Sequence, residues 1–474
     1  MAIKVNEKKI LAYALKNAIE HEGKAIAGSV LSPLFNEGLE KNKVKEVMPI
    51  INKILKQVNS IPIEEQKEEF EKLEKLVSHR EVREGLPELN DVPKSGVITR
   101  FAPSPSGPMH IGHAATGILS SLYVKKYGGK FYLRIEDTNP ENIDVDAYKM
   151  LPEESDWLFG NVAAIIIQSD RIKKYYDFAE KLIEKNAAYV CDCDPEKFKK
   201  LLEQSKSCPC RNIQLAETMK RWKKMLDKKG YKEGQAVLRF KSDLNDPNPA
   251  LRDFPLARIK EEKHPRQGKK YRVWPLMNLC VTLDDMEFGI THAIRAKDHM
   301  DNAKRQAMIF KIFNKKIPNT YFLGRYNFTD LEISCTKTKE KINQGKFSGW
   351  DDIRLPFIAA LRKRGFQAEA FAMMAEKRGI SDVDKVLSQE DYFQELNMFN
   401  RELIKDKTIQ TSFEQQKKKS KNSIEILMPD ASVIYADSDI NLKKLKDKQT
   451  VHFLGFGYCC FNKNEKIKFW FCHK

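Results

Sequence analysis

Apolar positions recur at helical spacing through the first part of the chain, most clearly over residues 9–19, and residues 64–77 read as a charged amphipathic helix. Pro87, Pro93 and Gly96 interrupt this pattern and set a boundary near residue 92. Residues 114–127 form an apolar run of helix length, stopped by Gly128-Gly129. Residues 130–137 then alternate as a strand, with a loop at Thr138-Asn139-Pro140. Strand, loop, helix and strand in that order open a doubly wound α/β domain, which binds ligands at the carboxyl ends of its strands. Residues 188–265 break the rhythm and read as an insertion. Strands are expected again at 281–283 and 290–296, and helices over 356–400. A hairpin is expected where 458–460 and 467–471 flank Asn462-Lys463-Asn464.

At 474 residues the chain is too long for one core. It has no apolar run of membrane-spanning length, and its first residues lack a secretory core, so a cytoplasmic protein without a membrane partner is expected. Nine cysteines in a chain this long fit a reducing compartment better than a disulfide scaffold. The net charge is +17, but residues 1–90 carry equal numbers of basic and acidic side chains, so the whole excess lies beyond them. A basic body behind a neutral leader points to a polyanionic partner such as nucleic acid; a solubility bias or a high-salt or high-temperature lifestyle is the other reading. The run Lys417-Lys418-Lys419-Ser420-Lys421 reads as a solvated loop or as a phosphate contact.

The chemistry concentrates in Arg100-Phe101-Ala102-Pro103-Ser104-Pro105-Ser106-Gly107-Pro108-Met109-His110-Ile111-Gly112-His113. The proline-rich part cannot be helical, so the two histidines fall at a loop-to-helix junction. Such a junction offers free backbone N–H groups and a helix dipole to an anion, and Gly112 lets a flat ligand approach the backbone. A second segment, Leu331-Glu332-Ile333-Ser334-Cys335-Thr336-Lys337-Thr338-Lys339, is a small polar loop with lysines that can neutralise a leaving pyrophosphate.

The first segment resembles the HIGH signature of class I aminoacyl-tRNA synthetases in its glutamyl/glutaminyl form, and Ser334 to Lys337 resembles their KMSKS loop with Cys335, Thr338 and Lys339 departing from it. Three further segments match the same group in order: Leu133-Arg134-Ile135-Glu136-Asp137-Thr138-Asn139-Pro140, then Gly289 through His299, then Gly349-Trp350-Asp351-Asp352-Ile353-Arg354-Leu355-Pro356. The helical leader and the Gly-Trp-Asp-Asp pattern resemble the archaeal/eukaryotic branch of glutamyl-tRNA synthetase.

The resemblance implies a multidomain α/β plus β protein. A helical extension (1–92) precedes a Rossmann-type parallel-sheet catalytic domain (93–187 and 271–355), which holds an inserted acceptor-stem-binding domain (188–270). A helical connector and a trimmed β-barrel-like anticodon-binding domain (356–474) follow. It also implies ATP-dependent activation of L-glutamate and transfer to tRNA(Glu), with magnesium accompanying ATP. ATP would meet Ala102, Pro103, His110, Gly112, His113, Asp298, Ser334 and Lys337, with His110, His113 and Lys337 as the catalytic donors. Glutamate would meet Arg100, Ser104, Glu136 and Arg295. A guanidinium matches a carboxylate with two parallel hydrogen bonds, which a lysine cannot copy. Met277 stands where bacterial members carry a tyrosine near the substrate. The rivals are the glutaminyl enzyme of the same branch and a non-catalytic RNA-binding paralogue; the neutral leader either packs on the catalytic domain or docks a partner protein.

Cys191-Asp192-Cys193 and Cys208-Pro209-Cys210 are two C-x-C pairs, which make either a tetrahedral zinc site or four reduced, unliganded thiols. Cys459, Cys460, Cys472 and His473 are explained by alternation along strands.

Overall fold

The computed structural model describes residues 7–37, 39–40, 43–77, 85–420 and 423–474. The opening residues 1–6, on which the absence of a secretory core partly rests, lie outside them, as does Lys421 of the lysine run. The chain divides into two compact units, Met1–Glu84 and Gly85–Lys474.

In the first unit the described helices are Glu7–Glu20, Ala27–Asn36, Val44–Val58 and Ile63–Leu73. Ile10, Ala14 and Leu15 form one core with Val47, Ile51 and Val58, so the helical apolar spacing is the packing stripe. The buried Gln66 side chain donates to the carbonyls of Gly23 at 3.0 Å and Val58 at 2.8 Å, which satisfies turn carbonyls that would otherwise be stranded. The helix expected over 64–77 ends at Leu73, and Glu74–Leu76 tightens into a 3₁₀ turn.

The second unit is built on parallel strands Val97–Phe101, Gly129–Ile135 and Val162–Ile167, hydrogen-bonded in that order. A parallel pair, His292–Ala296 with Asn319–Leu323, joins the first strand through Ile98. There the Thr291 amide donates to the Ile98 carbonyl and the Ile98 amide to the Thr291 hydroxyl, both at 2.9 Å. Helix Ile111–Tyr127 connects the first two strands and ends at Gly128. Gly129 follows at φ 112°, and a Cβ there would lie 2.0 Å from the Val97 carbonyl oxygen, so only glycine lets the second strand start against the first.

The insertion is a four-stranded antiparallel sheet, Ala188–Cys191, Val237–Phe240, Pro255–Ile259 and Val273–Pro275, carrying helices Pro195–Glu203 and Leu215–Leu226. The last strand leads into helix Met277–Glu287. This corrects the expectation of a strand at 281–283. Every residue of that helix from Asn278 to Asp285 is buried, its polar positions Asn278, Thr282 and Asp285 included, so the period is not marked by an exposed face and the β-branched residues read as strand. The stretch 356–400 holds helices Ile358–Arg364, Ala368–Arg378 and Gln389–Ile404, with a short strand Lys385–Leu387 between.

The C-terminal strands form one seven-stranded sheet with Ile409–Thr411 and Glu414–Gln416 at its two edges. These edges are consecutive in the chain and only two residues apart, so the sheet must curl back on itself, and its core gathers Ile426, Val451, Phe453, Cys459 and Phe469. The expected hairpin is present as Gly457–Phe461 against Phe469–His473. Among the described residues no helix is long and apolar enough to cross a membrane.

Candidate active site

The parallel strands end around one cavity of about 340 Å³. Its lining includes Arg100, Ala102, Pro103, Ser104, Gly112, His113, Glu136 and Arg295, all expected from the sequence. Arg100 sits one residue before the end of its strand, Arg295 likewise, and Glu136 follows directly on Ile135, so three strands present these groups at their carboxyl ends.

The residues expected to act with them lie at the rim or beyond. Asp298 is held by Arg325, a cavity-lining residue, at 2.6 and 2.7 Å. Ser334 caps helix Cys335–Asn343 by accepting the Lys337 amide. The Lys337 ammonium is exposed and paired with Glu332 at 2.5 Å rather than with any cavity group. The lysine loop nonetheless abuts the histidine segment: a Cβ on Gly107 would meet Cys335 at 3.2 Å, and one on Gly112 would lie 3.9 Å from Ile333.

The structure corrects one expectation about the helix start. Its first N–H groups are not free for an anion. Ile111 donates to the Pro356 carbonyl at 3.1 Å, Gly112 to His110 Nδ1 at 3.1 Å and His113 to the His110 carbonyl at 3.3 Å, while the His110 amide reaches His113 Nδ1 at 3.4 Å. The two rings therefore cap their own helix through Nδ1. Burial holds His110 well below the usual imidazole range and His113 at about 4, so both rings are neutral at pH 7. With Nδ1 accepting, each proton sits on Nε2; His113 lines the cavity and offers an imidazole N–H donor there in place of a backbone one, whereas His110 is not among the lining residues.

The cations are organised by a carboxylate that the sequence reading missed. Asp285 accepts from Arg134 at 2.6 Å and lies 3.5 Å from Arg100, and Arg134 also holds Glu136 at 3.1 Å. Burial alone would raise the Asp285 carboxyl, yet Arg134 and Arg100 outweigh it and keep it below the ordinary range. Arg100 and Glu136 thus face the cavity from a rigid, charge-paired base. Asp284-Asp285 inside an apolar run was the available signal, masked by reading that run as a strand. Arg295 differs: it is only 7% exposed, and its pKa is pushed down to about 9 by burial and by Arg100. Met277 contributes its sulfur 3.9 Å from Arg295 Nη2.

Beneath the histidines the buried Glu154 carboxyl accepts the Met109 amide at 2.7 Å. Burial pushes this carboxyl up to about 8, against the Met109 and Ala359 amides that favour its charged form. The folded protein therefore holds a proton that the unfolded chain has lost, and stability falls as pH rises from the unfolded value of 4.5 through about 8. Glu154→Gln should remove this component, so its unfolding midpoint should gain on the parent across that window and level off above it. Parallel pH profiles would show that Glu154 is ionised in the fold.

In the insertion, Cys191, Cys193, Cys208 and Cys210 bring four Sγ atoms within 4.8 Å of one another, with Cys191 to Cys208 at 3.9 Å and Cys193 to Cys210 at 3.5 Å. Thiolates around a tetrahedral zinc at about 2.3 Å stand roughly 3.8 Å apart, so the donor set fits that ion. Cys472 and His473, by contrast, are taken up by the buried Asn400 amide, as structural strand residues would be.

This geometry is accompanied by extensive similarity to known proteins. The profile described as tRNA synthetases class I (E and Q), catalytic domain, matches residues 96–406. A glutamate–tRNA ligase of Methanocaldococcus jannaschii is 43% identical over 399 residues, covering 84% of this chain and 71% of its own length. The glutamate–tRNA ligase of Pyrococcus furiosus is 42% identical over 408 residues, covering 84% and 70% respectively. A glutamate tRNA ligase of Elizabethkingia meningosepticum, solved in complex with its amino acid, aligns over 66% of this chain and 70% of its own at 20% identity with a TM-score of 0.46, too loose a match to bear on the site. The chain belongs to the class I tRNA synthetases of the E and Q group.

Proposed function

We propose that this chain is a glutamate–tRNA ligase, acting in the cytoplasm on L-glutamate, ATP with its magnesium, and tRNA(Glu). The observation that carries this reading is the meeting of two buried guanidiniums, Arg100 and Arg295, with Glu136, Gly112 and His113 around one cavity. In this reading the side-chain carboxylate of glutamate lies against Arg295 and Arg100, while Glu136 and Ser104 receive its α-ammonium. The α-carboxylate oxygen attacks the α-phosphorus of ATP, the bond to the β-phosphate oxygen breaks, and pyrophosphate leaves. Gly112 gives the adenine room, His113 and His110 donate Nε2–H to phosphate oxygens, and Lys337 swings from Glu332 to the departing pyrophosphate. The terminal 2′-hydroxyl of the tRNA then attacks the acyl carbon and AMP leaves. The insertion holds the acceptor end, and the curled C-terminal sheet reads the anticodon loop, in keeping with a charge excess of +17 carried by the body of the chain.

Aminoacylation of purified tRNA isoacceptors with labelled glutamate and glutamine tests this reading. Charging with glutamate supports it. Charging with glutamine alone would make the chain the glutaminyl enzyme, and tight tRNA binding without any charging would make it a non-catalytic paralogue.

We further propose that the four insertion cysteines hold zinc. Metal analysis should find about one zinc per chain, and Cys208→Ser should abolish it and make the insertion more sensitive to protease. A parent protein purified without chelators that contains no zinc would leave the four as plain thiols.

A further inference from the structure

The arginines around Asp284 and Asp285, at the base of the cavity and behind it, differ in what balances them. Arg100 has Asp285, Arg134 has Asp285 and Glu136, and Arg171 has Asp284 and Glu287. Among the described residues, no carboxylate lies within ion-pair distance of Arg295. Its Nη1 instead donates to Gln306 Oε1 at 2.7 Å, and its Nη2 meets only the Met277 thioether. Gln306 lies on helix Met300–Ile312 and is 5% exposed. Its amide can be oriented in one way only. A guanidinium has no acceptor, so the carbonyl must face Arg295, and the NH₂ then donates to Asn278 Oδ1 at 3.2 Å. Asn278 Nδ2 passes the chain on to Asn302 Oδ1 at 3.3 Å, where Arg305 also donates at 2.9 Å. Arg295 is thus aimed by a relay of neutral amides that takes none of its charge.

We propose that Gln306 is a positioning residue that sets specificity: it fixes the Arg295 guanidinium while leaving its charge for the side-chain carboxylate of the substrate. The proposal rests on the glutamate reading above. A buried cation with no carboxylate in direct contact is costly even with Asp285 and Glu136 nearby, and a dicarboxylic ligand supplies the missing contact where a neutral amide ligand cannot. A glutamate at position 306 would have nearly the same shape and would supply that contact from within. The site would then be satisfied before substrate arrived.

The test uses the full chain, with Gln306→Glu and Gln306→Met beside the parent. The readouts are amino-acid-dependent ATP–pyrophosphate exchange with tRNA present, for glutamate and glutamine, and the thermal midpoint. Gln306→Glu should raise the KM for glutamate by about tenfold or more, with kcat changed far less, because a competing internal carboxylate must be displaced. Its preference for glutamate over glutamine should shrink by a similar factor while its midpoint stays level or rises. Gln306→Met keeps the charge of Arg295 and loses only its anchor, so its KM should rise while the preference for glutamate is largely kept. A Gln306→Glu protein with parental KM and preference overturns the proposal. So does a loss of activity in both variants that tracks a fallen midpoint, since that would mark Gln306 as structural. If Gln306→Glu does not fold, a Gln306→Met protein with parental KM overturns it as well. A parent inactive with glutamate would instead bring down the glutamate reading, and this proposal with it.

Discussion

Arg295→Lys should lower kcat/KM for glutamate by roughly 30- to 4,000-fold, the equivalent of about 2–5 kcal/mol lost when one partner of a buried, hydrogen-bonded charge pair is cut back. The loss follows from shape more than charge. Arg295 holds Gln306 through Nη1 and presents its other edge to the cavity beside Met277. A lysine ammonium is a point donor on a flexible stem; it cannot bond Gln306 and grip a carboxylate in a plane at once. Thermal stability should hardly fall, because Arg295 has no carboxylate partner in the fold to be stranded. Glutamate kinetics near the parental values would reassign this arginine to structure.

The second large effect is expected at Lys337. Lys337→Ala should slow glutamate activation by ~10²–10³-fold, the usual cost of one charged donor at a developing anion, while leaving glutamate affinity nearly unchanged. In the structure this lysine is 62% exposed and paired with Glu332, which also takes Lys341 at 3.3 Å. Such surface pairs contribute little to stability, so the fold should tolerate the change. Glu332→Ala makes the useful control. It frees the lysine from its resting partner and should not reproduce the loss. Measured by single-turnover adenylate formation, an unchanged rate in Lys337→Ala would remove the loop lysine from the mechanism.

The sequence made the periphery of the site legible and hid its base. Arg100, Glu136, Arg295 and the histidine segment stand in short ordered motifs, and the strands deliver most of them to one cavity. What supports them is long-range. Asp285 reaches Arg134 from 151 residues away, and no local pattern announces such a pair. Gln306 is a single amide on an ordinary helix; only its partner gives it meaning. Local rules also misled where burial is complete. The helix Met277–Glu287 buries its polar positions along with its apolar ones, so its valine, threonine and leucine looked like a strand. The helix start at Ile111 looked like an open anion site because its N–H groups are consumed by Pro356, far along the chain, and by the histidine rings themselves. The four-thiol cluster was foreshadowed by spacing, but only the close approach of strand Ala188–Cys191 to the turn Pro209–Asn212 brings the thiols together.

In the proposed reaction a guanidinium-lined cavity joins the α-carboxylate of a dicarboxylic amino acid to the α-phosphate of ATP. Exchange of labelled pyrophosphate into ATP, with tRNA present and each amino acid supplied in turn, measures that bond directly. Exchange is expected with glutamate and at most a trace with glutamine or aspartate. Exchange that ignores glutamate, or that follows glutamine instead, would contradict that reaction.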